Sequence, residues 1–287
     1  MDRKILTKCP VSCFADEIDV SVDKQIALLQ ELGIGWIEFR SGDGKGVADY
    51  TEKEAEMLMR RLSANGIRIS AVGSPIGKID ITQDFEPHFE TYRHIVELAG
   101  ILDTSFIRMF SFFMPEGEEP AEFRDEVMRR TDRMVEYAAG RNVVLLHENE
   151  KGIYGDSAAR CLDLMKLFYG DHFRCTFDFA NFVQCGQDTM EAYEMLRPYI
   201  SYIHVKDAMW EDGMVVPAGM GDGHVAEILE KLDQNGYQGF LSLEPHLADF
   251  AGFKGLEQLS KAKGRSDGAS AFCQAYAALV GLLENAI

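Results

Sequence analysis

The chain has 287 residues, 46% of them hydrophobic and 26% charged, which suits an ordinary globular protein and excludes a disordered or fibrous one. Its 29 Lys and Arg against 47 Asp and Glu leave a net charge of −18, a field that repels phosphodiester backbones, so nucleic acid is not an expected partner. No run is apolar for long enough to span a bilayer, the first residues meet Asp16, Glu17 and Asp19 before any stretch that could serve as a leader, and Cys9, Cys13, Cys161, Cys175, Cys185 and Cys273 form no CxxC pair, so a cytoplasmic protein with reduced thiols is expected.

From one end to the other, short β-prone runs alternate with stretches whose apolar residues recur every three or four positions. The chain opens with a strand at Lys8–Phe14 and a helix at Val20–Leu32, followed by strand Trp36–Arg40 and helix Glu52–Ala64. Strand Ile67–Val72 leads to helix Phe89–Leu102, and strand Phe106–Phe110 to helix Glu122–Ala139. Strand Val143–Glu148 precedes helix Ala158–Leu167, and Phe173–Asp178 precedes Thr189–Leu196. Two further pairs, Tyr202–Val205 with Val225–Asn235 and Phe240–Glu244 with Ala269–Asn285, complete eight units. Gly33, Gly66, Gly140 and Gly236 follow four of the helices, where a positive φ commonly ends the last turn. The longest stretches without periodicity follow the first, third, seventh and eighth strands. Such alternation, with no linker to divide it, predicts one α/β domain over residues 1–287, a (β/α)8 barrel. An open doubly wound sheet is the alternative, and no GxGxxG follows the first strand to support its dinucleotide-binding form.

In a barrel of this kind the C-terminal ends of the strands converge on one mouth. The fifth strand ends at Glu148, the sixth at Asp178, the seventh carries His204 and the eighth reaches Glu244. A carboxylate closing an apolar strand is costly without a partner, and three converging carboxylates with few cations nearby point to a shared metal ion. Three oxygen ligands and one imidazole favour Mn2+ or Mg2+, and Co2+ or Zn2+ are also compatible. Lys206 lies two residues past His204 and so shares its face, in either a catalytic role or an ion pair. Glu38 and Arg40 end the second strand and Arg108 lies on the fourth, each suited either to ion pairing or to substrate hydroxyls. His246 shares the face of Glu244 and either touches a hydroxyl or anchors a loop. Asn181 either orients a ligand or caps a turn. Phe14, Phe110, Phe112, Phe113, Phe182 and Trp210 could wall the mouth or pack the core, and the Ser74–Lys78 loop lacks the pattern of a P-loop.

At these residues the chain resembles the xylose-isomerase-like TIM barrels, which include sugar-phosphate isomerases, tagatose- and psicose-type epimerases, hydroxypyruvate isomerase and inosose dehydratase. The resemblance covers nearly the whole chain and is carried by Leu146–Asn149, Phe177–Asn181, Ile203–Asp207, Pro217–Gly223 and Gly239–His246. It implies that Glu148, Asp178, His204 and Glu244 are metal ligands, that Glu148 and Glu244 are the proton-transfer pair acting through an enediolate, and that the substrate is a small sugar or polyol derivative. Dimers or tetramers are usual in such proteins, so a homo-oligomer is an expectation. Tagatose-type epimerases carry a histidine where this chain has Asn181 and an arginine where it has Trp210, and the common Glu-Asn-His of the fifth strand reads Glu148-Asn149-Glu150. The His-Val-Lys-Asp run at His204–Asp207 is similar to inosose-dehydratase-like members, which keeps a lyase using Lys206 as the alternative to an isomerase or epimerase.

Overall fold

Eight short strands form one parallel sheet, and a computed structural model describes residues 8–248 and 267–285 of the chain. The strands are β1 Val11–Cys13, β2 Trp36–Phe39, β3 Arg68–Gly73, β4 Phe106–Met109, β5 Val144–Glu148, β6 Phe173–Asp178, β7 Ile200–Val205 and β8 Phe240–Leu243. Each of β2 to β8 pairs with its neighbour in sequence, β8 pairs back onto β1, and β1 packs beside β2 without a ladder. Strand order therefore never reverses. An open doubly wound sheet needs such a reversal, and the chain is instead a nearly closed (β/α)8 barrel. The helices are α1 Val22–Leu32, α2 Glu52–Ala64, α3 Phe85–Ile101, α4 Arg124–Ala139, α5 Ala158–Phe168, α6 Phe179–Gln184, α7 Thr189–Leu196, α8 Val225–Gln234 and α9 Gly268–Asn285. The first seven residues and most of the stretch after β8 lie outside the described residues.

Local chemistry sets most of the boundaries. Thr51 starts α2 with a reciprocal cap, its Oγ1 accepting from the Glu54 amide at 3.3 Å while Glu54 Oε2 accepts from the Thr51 amide at 2.9 Å. Helix α3 begins at Phe85, four residues before the periodicity suggests, because Asp84 caps it and Pro87 sits in a first turn that needs no amide donor. Gly33, Gly66 and Gly236 do take positive φ, but Gly140 stays right-handed at −76° and Asn142 takes the left-handed turn at 54°. Asn tolerates that conformation through its short polar side chain, so the expectation placed the turn two residues early. The six-residue α6 is too short for its periodicity to be read, and it follows directly on β6.

Alternation divides the strand residues between two cores. Outward side chains such as Ile37, Ile107, Leu145, Ile203 and Leu241 pack against Leu29, Leu58, Ile95, Leu164 and Ile228 of the helices. Burial of each such side chain contributes roughly 1.5–3 kcal/mol. Inside the barrel, Ala71, Leu146 and Tyr202 close the lower end with Phe106, Val144 and Phe240. Above this plug the lining turns polar: Ser70 Oγ lies 2.6 Å from Ser12 Oγ and 2.8 Å from the Tyr202 hydroxyl, and Ser242 Oγ donates to Glu38 Oε2 at 2.8 Å. These hydroxyls are buried and satisfy one another, which makes the inner surface tolerable beneath a charged mouth.

Candidate metal centre

Adjacent strands carry the charged residues of the mouth. Glu148 ends β5, Asp178 ends β6, His204 is the penultimate residue of β7, and Glu244 is the first residue past β8. Asp178 is in register with His204 and His204 with Ser242, while Glu148 pairs with Thr176 and Glu244 lies two residues past Ser242, and the side chains converge inside the barrel. One ligand atom from each of the four residues falls within 4.8 Å of the others, and each residue is at most 3% exposed. His204 Nδ1 stands 3.0 Å from Glu148 Oε1, 3.5 Å from Glu244 Oε2 and 3.7 Å from Asp178 Oδ2. Among the described residues, Glu148 Oε2, Asp178 Oδ2 and His204 Nδ1 are buried and have charged neighbours at 3.0–3.3 Å but no partner in good hydrogen-bonding geometry. Leaving such atoms unsatisfied costs on the order of 1–3 kcal/mol each, and a cation among them would remove that cost. The donor set fits a divalent ion.

The other side of the imidazole prepares this set. His204 Nε2 lies 3.0 Å from Glu38 Oε2, so the carboxylate draws the ring proton to Nε2 and turns the Nδ1 lone pair toward the cluster. Burial would make the ring harder to protonate, but Glu148 and Glu38 outweigh it and hold its pKa well above the ordinary histidine value. A cation would take the place of that second proton. Burial pushes the Asp178 carboxyl up to about 7 against the pull of Lys206. Burial also acts to raise Glu148, yet His204 and Arg108 bring it down to about 2. Glu244 falls well below its usual range, because Lys206 and His246 exceed the effect of burial.

Each of these carboxylates is held by named neighbours. Asp178 divides its two oxygens: Oδ1 accepts from the Asn181 amide at 2.8 Å and so caps α6, which leaves Oδ2 facing the cluster. The Asn181 side chain donates to Glu148 Oε1 at 3.2 Å and to the Asn149 carbonyl at 2.9 Å, so it orients a carboxylate while Asp178 supplies the cap. Asn149, which the sequence places in a motif without indicating a role of its own, clamps β5 to β6 by donating to the Asp178 carbonyl and accepting from its amide, both at 3.0 Å. Lys206 Nζ is 2.8 Å from Glu244 Oε2 and 3.1 Å from Asp178 Oδ2. Arg40 reaches Glu244 Oε1 at 3.1 Å and forks onto Asp16 at 2.8 and 3.1 Å. His246 lies 3.3 Å from Glu244 Oε1, and its backbone amide donates to Glu17 Oε2 at 2.6 Å. Glu38 sits beneath His204 and is 1% exposed, one layer below the place where a substrate hydroxyl would meet it.

The glycine-rich run Pro217–Gly223 closes over another carboxylate. Asp207 accepts from the amides of Gly219, Gly221 and Gly223 at 3.0, 3.0 and 2.8 Å. A Cβ on Gly223 would stand 2.6 Å from Asp207 Oδ1, so this motif is there to wrap the loop after β7 and leaves Asp207 no free oxygen for the mouth.

Beside the cluster a cavity of about 350 Å3 opens over β2, β3 and β4, lined by Arg40, Ser74, Lys78, Arg108 and Phe110 among others. The Ser74–Lys78 loop therefore faces the mouth. Phe14 and Phe110 do wall it, but Phe112 packs on Phe85 and Phe182 on Phe177, away from the opening. Trp210 is half exposed and borders a separate cavity with Asp222 and His224, which removes it from the apolar wall.

A family profile described as xylose isomerase-like TIM barrel matches residues 26–264. The chain belongs to that family. Among its relatives, 3-dehydroshikimate dehydratase of Bacillus anthracis is 25% identical over 129 residues, 45% of this chain and 46% of that protein. The chain thus matches about half the length of this relative. A D-tagatose 3-epimerase-like protein of known structure is 19% identical with a TM-score of 0.75, over 96% of this chain and 98% of that one. A xylose isomerase-like TIM barrel protein from Mycobacterium smegmatis in complex with magnesium is 16% identical with a TM-score of 0.70, over 99% of both chains. These two structures share the fold.

Proposed function

We propose that the chain is a divalent-metal-dependent isomerase or epimerase of a small sugar or sugar derivative. In this reading Glu148, Asp178, His204 and Glu244 hold one cation, and Glu148 and Glu244 exchange a proton with the substrate carbon. The observation that carries it is the convergence of four buried donors, three of them with an atom that lacks a well-aligned hydrogen-bond partner among the described residues. The oxygen-rich set favours Mn2+ or Mg2+ over Co2+ or Zn2+, and similarity to the magnesium-bound barrel supports a divalent ion. A cation held there would polarise a carbonyl oxygen and acidify the neighbouring C–H.

Glu148 and Glu244 approach from β5 and β8. Arg108 beside one, and Lys206 and Arg40 beside the other, keep both ionised and ready to accept a proton. If one carboxylate takes the carbon-bound proton and the other, protonated in its turn from solvent, delivers one to the opposite face, the carbon is inverted; delivery to the adjacent carbon, with the hydroxyl proton passing between the two oxygens, moves the carbonyl. Arg108 borders the cavity where substrate would lie and His246 lies against Glu244, while Glu38 and Asn181 act through His204 and Glu148.

A second reading, a lyase that removes water, is favoured by Lys206, whose buried ammonium is directed at the cluster and could hand a proton to a leaving hydroxyl. Similarity to a 3-dehydroshikimate dehydratase supports it. Incubation with Mn2+ and a panel of ketoses and inososes in D2O, followed by NMR, separates the two. Deuterium at the carbon beside the carbonyl of a stereoisomeric or isomeric product is expected, and an unsaturated product would favour the lyase. Glu148→Gln should keep the fold and abolish exchange. Undiminished exchange in that variant, or in metal-stripped protein, sinks both readings.

A further inference from the structure

The four proposed ligands all come from β5 to β8, while the opposite wall of the mouth is lined with cations. Arg108 Cζ lies 4.4 Å from the centre of the Phe110 ring and 5.5 Å from that of Phe14; Lys78 Nζ is 4.2 Å from Phe110, and Arg40 Cζ 4.4 Å from Phe14. Two phenyl rings thus tie three cations into one strip along the cavity. Arg40 is fully engaged by Asp16, Glu17 and Glu244 at 2.8–3.3 Å. Arg108 is not. Its side chain is 3% exposed, its Nε has no hydrogen-bond partner among the described residues, and its nearest carboxylate oxygens stand off at 3.3 Å on Glu148 and 3.8 Å on Glu38.

A guanidinium removed from water without well-aligned acceptors is costly, and a substrate bearing only hydroxyls would not repay it. Among the described residues Lys78 has a single carboxylate partner, Glu150 at 3.0 Å, and its ammonium keeps donors in hand. The acids that share the cavity do not cancel these charges, because Asp16 is committed to Arg40 and Ser41, and Asp49 lies exposed on the outer lip.

We propose that the compound handled at the mouth carries a negatively charged group, a carboxylate or a phosphate, and that Arg108 and Lys78 receive it on the β3–β4 side of the cavity. The inference rests on the metal-dependent reading above and narrows its substrate class to anionic polyhydroxy compounds. Charge-assisted hydrogen bonds to a guanidinium are among the stronger polar contacts, and a planar fork suits either anion. The cavity, at about 350 Å3, suits a small molecule held partly by the cation and partly by this strip.

The test is titration calorimetry of the magnesium-loaded protein with D-gluconate, D-glucitol and D-glucitol 6-phosphate, after subtraction of titrations into magnesium alone. One of the two acids should bind about tenfold or more tightly than D-glucitol. Whichever acid shows the margin names the anion. Lys78→Gln should remove most of it while changing the D-glucitol affinity little; Arg108→Gln should also remove most of it, read as the ratio of acid to D-glucitol affinity because Arg108 also supports Glu148; Arg108→Lys, which keeps the charge, should retain part and covers the case in which Arg108→Gln does not fold. Equal binding of all three compounds, no binding of either acid, or a margin that survives both glutamine substitutions overturns the inference. Magnesium uptake is measured separately by equilibrium dialysis. Uptake without any preference for an acid defeats this inference alone, and no uptake defeats the parent reading with it.

Discussion

At the scale of single residues, the anomaly that marks this site is ionisable side chains ending apolar strands. Glu148, Asp178 and Glu244 each follow or end a run of hydrophobic residues, so their placement is legible from chain order alone. What Glu38 does is not legible, because its partner His204 lies 166 positions away and only closure of the barrel brings the two together. The same holds for Asn149, whose amide clamp depends on the register between β5 and β6. Glu38 supplies the acceptor that fixes the His204 tautomer, so Glu38→Gln, similar in shape but able to present its amide to Nε2, should weaken metal binding by about ten- to a hundredfold. Competition with a fluorescent chelator measures this. An unchanged affinity would show that the ring is oriented by its packing against Phe14 and Tyr202 instead.

At the scale of elements, the boundaries that could be read are those set by one local interaction, such as the Thr51 cap or the turn at Gly33. Those that could not, such as α6 and the turn at Asn142 in place of Gly140, depend on a cap from a strand-end carboxylate or on a choice between two residues able to make one turn. The Ser74–Lys78 loop shows how such a segment becomes rigid. Gly77 has a φ of 89°, its amide donates to His88 Nε2 at 2.8 Å, and a Cβ on it would stand 2.0 Å from the Phe110 carbonyl oxygen. Gly77→Ala must therefore push the loop away from Phe110, at a cost of about 3 kcal/mol or more. Urea denaturation should show that loss, and the displaced Lys78 should weaken acid binding at the mouth. A variant as stable as the parent would mean that the loop yields easily and does not fix the cavity wall.

Across the whole molecule, acid should loosen the fold by a definite route. Burial lowers His147 to about 4, and His88, lowered by burial and by Arg130, also falls to about 4. Both lie below the ordinary value of 6.5, so between pH 6.5 and 4 these two side chains bind more protons in the unfolded chain than in the folded one, and their contribution to stability rises with pH. Their contribution is complete above pH 6.5 and is lost as pH falls through 4; for the fully buried His147 it amounts to about 3 kcal/mol. His147→Gln should flatten the dependence of the urea midpoint on pH across that window. An unaltered slope would place the acid sensitivity elsewhere.

The continuous order of the strands has a consequence for how such a molecule could diversify. All four donors of the proposed cation site stand on the second half of the barrel, and the cationic, ring-lined cavity is built almost wholly by the first half. Among the side chains that join the halves at the cation site are Glu38 under His204, Arg40 against Glu244 and Arg108 near Glu148. A half-barrel graft that kept these three residues while exchanging the loops after β1 to β4 could alter which compound is admitted without touching the reacting groups. In that sense, the machinery and its gatekeeper are inherited on separate stretches of chain.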